Sequence, residues 1–159
     1  MKNALVVIIC LIMVGGIVAY SKWKKMPLGI RNNNPGNLRD NGINWNGRIG
    51  NNQGFVVFDT MQNGVRAMTL DITSDYRRGM NTIRKLVTEY APASENNTTA
   101  YVNSVAAKVG LNPDAPIVPL EAYLHDLIDA MIYHENGRTI ADYDLYKGVQ
   151  AAMEYRGMA

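Results

Sequence analysis

The 159-residue chain is 47% hydrophobic and 19% charged, with 16 Lys and Arg against 14 Asp and Glu. That near balance, a net +2, argues against a dedicated nucleic-acid binder, which concentrates Lys and Arg on one face, and the apolar content argues against a disordered chain. A single cysteine, Cys10, rules out an internal disulfide, and the two histidines, His125 and His134, have no partners of zinc-site type, so no metal and no cofactor is expected.

Residues 4–20 read ALVVIICLIMVGGIVAY without a charge, preceded by Lys2 and followed by Lys22, Lys24 and Lys25. At a helical rise of about 1.5 Å per residue the run reaches roughly 25 Å, the low end for spanning a bilayer. Tyr20 and Trp23 suit the headgroup level. The expectation is one N-terminal transmembrane helix, with residues 1–25 as anchor and basic flank and residues 26–159 as the working domain. The competing reading is a cleaved secretory signal ending at Ala19-Tyr20-Ser21. The lysines after the run favour a cytoplasmic domain by the positive-inside rule.

Residues 26–54 are rich in Asn and Gly, which tolerate positive φ and close turns on their own backbone, so an ordered loop is predicted there. Short strands are predicted at 43–48 and 55–59, with Gly50 to Gly54 as the hairpin connection. Asp59 or Thr60 opens a helix with Val65, Met68, Ile72 and Tyr76 on one face, ending at Gly79. Asn81 or Thr82 opens a second, through Ile83, Leu86, Val87 and Tyr90, stopped at Ala91-Pro92. Asn97 or Thr98 opens a third, with Tyr101, Val102, Val105 and Val109 inward and Gly110 at its end. After a Pro-containing connection, Leu120, Leu124, Leu127, Ile128 and Met131 form the clearest apolar stripe, which runs out at His134-Glu135-Asn136-Gly137. A last helix is predicted from Asp142 or Asp144 to about Arg156.

Glu135 continues the stripe of Ile128 and Met131 and sits in the last turn before a glycine stop. Apolar surroundings and a helix C-terminus are conditions that raise a carboxyl pKa, and a proton-holding carboxyl is what protonation of a glycosidic oxygen requires. The plainer reading is a helix-end Glu paired with Arg138 or capped by Asn136. For a second carboxylate the candidates are Asp40 and Asp59, the latter equally a helix cap. If neither serves, Glu135 can act first as acid and then as base, with a sugar hydroxyl as nucleophile. Amides and aromatic rings in the Asn34–Asn37 loop and in residues 90–101 suit a glycan groove, which makes Asn34, Asn37, Tyr90, Glu95, Asn96 and Tyr101 candidate substrate-binding residues. Glu95 can equally cap the following helix, and Tyr101 can equally be core.

Together IRNNNPGNLR (residues 30–39), Trp45-x-Gly47, FVVFDTMQNGVRA (55–67), TIRKLVTEYAPASENNTTAYVNSVAAKVG (82–110) and HENG (134–137) resemble phage-encoded, virion-associated muralytic proteins with a lysozyme-like fold. The resemblance implies a mainly α (α+β) lysozyme-like helical domain with a small β-hairpin region. The helix ending in the acid comes late in the chain here, as in a circular permutation of that architecture. It further implies a lytic transglycosylase or muramidase that cleaves the glycan strand of peptidoglycan. Glu135 would be the acid, Glu95 a rival, and Tyr90 the tyrosine lining the cleft. The implied partners are peptidoglycan glycan strands, a lipid bilayer through residues 4–20, and other virion proteins, with no nucleic acid. The implied location is a single-pass anchor in a virion membrane or the bacterial inner membrane, used for local wall penetration during entry. A cross-bridge endopeptidase on the same fold, or a wall-binding virion protein without activity, are the alternatives, because fold does not dictate the bond broken.

Overall fold

A computed structural model describes residues 21–91 and 97–158. After a one-turn helix α1 (Leu28–Arg31) the chain runs as a loop to the strands β1 (Arg48–Asn52) and β2 (Phe55–Phe58). Five helical elements follow: α2 (Met61–Arg77), α3 (Ile83–Tyr90), α4 (Thr98–Val109), α5 (Leu124–Asn136) behind a 3₁₀ turn at Leu120–Ala122, and α6 (Asp142–Arg156). The mainly helical class with a small hairpin is as expected.

The helix starts follow from local chemistry. Thr60, Thr82 and Asn97 each take an extended or non-helical conformation and accept a hydrogen bond from the backbone N–H three residues on, at Asn63, Lys85 and Ala100. Gly110, Gly137 and Gly157 end α4, α5 and α6 in the left-handed region. The apolar stripes then meet: Val65, Met68 and Ile72 of α2, Leu86 and Val87 of α3, Val102 and Val105 of α4, and Leu127, Ile128 and Met131 of α5 are all buried in one core. Helix α6 lies along α2 at Gly148, where a Cβ would come within 2.5 Å of Val65 Cβ. That glycine therefore sets how closely the two helices approach.

The hairpin differs from the expectation. Its first strand is 48–52 and not 43–48, and the Asn-Gly run read as connection is itself strand, paired antiparallel with β2 from Asn52–Phe55 back to Arg48–Phe58. The turn is only Gln53-Gly54, with φ of 56° and 85°. Two consecutive left-handed residues give the tight two-residue turn whose twist matches the strands. Isolated polar residues can sit in β1 because the strand is largely exposed on both faces.

One further expectation is corrected. No helix among the described residues is long and apolar enough to cross a membrane. The longest, α2, has 17 residues and carries Arg66, Asp71, Asp75 and Arg77, charges that a hydrocarbon core would not accept. The N-terminal transmembrane helix and the single-pass location are therefore not retained; residues 4–20 themselves lie outside the described residues.

Candidate active site

The Asn-rich loop is built by its own side chains. Asn34 is fully buried. Its Oδ1 accepts from Leu38 N at 2.9 Å, and its Nδ2 donates to the Leu38 and Val56 carbonyls, both at 2.9 Å. Asn33 Nδ2 donates to Phe58 and Asp59 carbonyls, and Asn32 Oδ1 accepts from Asn52 Nδ2 at 2.9 Å. These amides lash the loop to the hairpin in place of a third strand. Asn34 is thus a structural residue, with no group left to offer a ligand, contrary to the substrate-binding role expected for it.

The loop also holds the end of α5. Asn37, in the left-handed region at φ 52°, donates from Nδ2 to Glu135 Oε2 at 3.0 Å. Next to it Asn136 Nδ2 donates to the Pro35 carbonyl at 2.7 Å and back to Ile132 O at 3.0 Å. Glu135 is therefore half-buried and clasped at the point where helix and loop meet. Behind it, Tyr101 is 1% exposed and stacks on His134 with ring centroids 3.8 Å apart and planes 12° from parallel. Burial, then the Glu135 carboxylate, then Tyr90 push the Tyr101 hydroxyl well above its usual range. That hydroxyl is buried and directed at the Glu135 carboxyl. Tyr101 backs the acid without reaching the cleft.

In front of Glu135 is an open cleft of about 560 Å³. One wall is the loop and hairpin, with Asn37, Arg39, Trp45 and Phe55; Arg39 lies over the Phe55 ring at 5.3 Å. The opposite wall is α2 and α3, with Asp71, Asp75, Glu89 and Tyr90. Tyr90 donates its hydroxyl to the Gly36 carbonyl. Burial first, and then the charges of Glu135, Asp71 and Asp75, push its pKa well up, so it stays a neutral donor. Of the expected site residues, Glu135, Asn37 and Tyr90 share this cleft. Glu95 and Asn96 lie outside the described residues.

Asp40 and Asp59, the expected second carboxylates, are elsewhere. Asp40 accepts from Arg48 and Asn51, both at 2.8 Å, and Asp59 from Asn63 at 2.8 Å. These bonds hold both carboxyls below the ordinary range. Each organises a turn.

The carboxyls that do face the cleft are Asp71 and Asp75, which sequence reasoning missed. They stand three and seven residues after Met68, on the same stripe as buried Ile72, and acidic residues on an apolar stripe were the available signal. Asp75 is buried and bound by Arg78 at 2.5 Å, and Arg78 also reaches Glu89 at 3.3 Å. Asp71 has no such partner. Burial first, then the Asp75 charge, raises its pKa from 3.8 to about 6. A raised carboxyl pKa means the folded state holds the proton more tightly. Stability is then highest below the unfolded value of 3.8 and falls as pH rises toward about 6. Asp71→Asn should remove that loss, gaining about 1–2 kcal/mol near neutrality once solvent screening is allowed for. Denaturant titrations should show the gain at pH ~7.5 and its disappearance at pH ~4.

No metal-binding cluster of His, Cys, Asp and Glu exists among the described residues. No family profile matches the chain. It is similar to Protein P5 of Pseudoalteromonas phage PM2, 34% identical over 130 residues that cover 75% of this chain and 77% of the relative. At that identity and coverage, the chain belongs to the family of this phage protein.

Proposed function

We propose that the domain cleaves the glycan strand of bacterial peptidoglycan, as a lytic transglycosylase or muramidase, with Glu135 as the acid–base residue. The observation that carries the reading is a half-buried carboxyl at a helix end, oriented by Asn37 and opening on a cleft with Tyr90, Trp45 and Phe55. Aromatic faces cover sugar rings, while amides and hydroxyls meet their polar edges. Glu135 gives its proton to the glycosidic oxygen as the C1–O bond breaks. A phage relative is consistent with use in local wall penetration during entry.

The resemblance to lysozyme-like muralytic proteins and the order of its parts support the same reading. Full-length protein added to purified peptidoglycan is expected to clear its turbidity; an unchanged suspension over a range of pH would end the proposal. Asn37→Ala frees the carboxyl to wander and should lower kcat by about 10- to 100-fold, with KM nearly constant. Steady-state rates on solubilised glycan fragments check this. A rise in KM at constant kcat would instead make Asn37 a plain binding residue.

A further inference from the structure

Cleaving a glycan by single-step hydrolysis, with inversion at C1, needs a second group to take a proton from the attacking water. Among the described residues four acidic side chains line the cleft, and their surroundings sort them. Asp75 is buried and committed to Arg78 at 2.5 Å. Glu89 is half exposed at the rim and shares the same guanidinium. Glu135 is held by Asn37. Asp71 alone among these four has neither hydrogen bond nor ion pair, although it is half-buried and lines the cleft. The groups whose charges act on it are Asp75 and Arg78 from its own side of the fold and Glu89 from α3; Glu135 is not among them. Tyr90, by contrast, is under the influence of both Glu135 and Asp71. Asp71, Tyr90 and Glu135 thus line one cleft, and the charges of both carboxyls bear on the Tyr90 hydroxyl.

Resting on the glycan-cleaving reading above, we propose that Asp71 is the second carboxyl of the reaction, the base that activates water while Glu135 protonates the leaving oxygen, which makes the enzyme a hydrolase and not a transglycosylase. The C1–O bond to the leaving sugar breaks and its oxygen takes the proton of Glu135. The water oxygen bonds to C1 and its proton passes to Asp71, and exchange with solvent restores both groups. A carboxylate left unpaired in the cleft is free to hold that water. Burial and the neighbouring Asp75 place Asp71 near 6, where a carboxylate is a stronger base than in the ordinary range.

The test uses full-length wild type, Asp71→Asn and Asp75→Asn on purified peptidoglycan, reading kcat/KM against pH and the chemistry of the new chain ends. Wild type should give reducing ends, with an acid limb near 6. Asp71→Asn should lower kcat/KM by about 10²- to 10⁴-fold and abolish that limb without lowering the melting temperature. Asp75→Asn removes a like charge and frees Arg78, so the limb should move to lower pH. Ends of the 1,6-anhydro type, or an Asp71→Asn enzyme that keeps both rate and limb, would overturn the inference and leave glycan cleavage standing. Wild type that cuts no glycan at any pH would remove both.

Discussion

Glu135→Gln is expected to lower the rate of the proposed glycan cleavage by about a thousandfold while the protein melts where wild type does. The amide has the shape of the carboxyl and keeps an oxygen to accept from Asn37 Nδ2, so the clasp between loop and α5 survives. What it loses is a transferable proton. Asn136, one residue on, still holds Pro35 O and Ile132 O, and Tyr101 still stacks on His134, so the surroundings of position 135 do not depend on its charge. Single-turnover rates on wall fragments, with a melting curve on the same sample, measure both halves. A variant within threefold of wild type would move the acid to another residue.

Asn34→Ala is expected to be the most damaging substitution outside the hydrophobic core, at about 3–5 kcal/mol. Three hydrogen bonds at 2.9 Å end on this one fully buried amide. Its removal strands the Leu38 N–H, takes one hydrogen bond each from the Leu38 and Val56 carbonyls, and leaves a cavity between the loop and β2. The loss is a large share of a small domain's stability. Equilibrium unfolding in urea reads it directly, and a change below about 1 kcal/mol would mean that the loop is held by other contacts.

The helical part of the fold was legible because its signals are local. Thr60, Thr82 and Asn97 announce helix starts, Gly110 and Gly137 announce ends, and the spacing of Leu124, Leu127, Ile128 and Met131 declares the buried face. The strand at 48–52 was not, because it is exposed on both faces and shows no alternation. Its place is dictated by the two left-handed residues Gln53 and Gly54. The asparagines illustrate a different limit. Composition identifies a run of amides but not their partners, and Asn32, Asn33 and Asn34 spend theirs on the hairpin while Asn37 alone meets Glu135.

Within the cleft, Glu135 and Tyr90 were readable from their position in stripes and motifs. Asp71 and Asp75 were not, since two acids on a long helix default to a solvated face. Only the packing of α2 against α3 and the loop turns that side into a wall of the cleft. The departure of Asp71 from the rule is itself informative, because a carboxyl left without an ion pair on a buried stripe costs stability.

The most direct measurement is mass analysis of the fragments released when the full-length protein digests purified peptidoglycan. Shortened glycan strands, with each cut leaving one new sugar end and the peptide stems and cross-bridges intact, are the expected result. Free amino groups released from the cross-bridges while the glycan keeps its length, or no fragments at all, would contradict the assignment of this cleft to glycan cleavage.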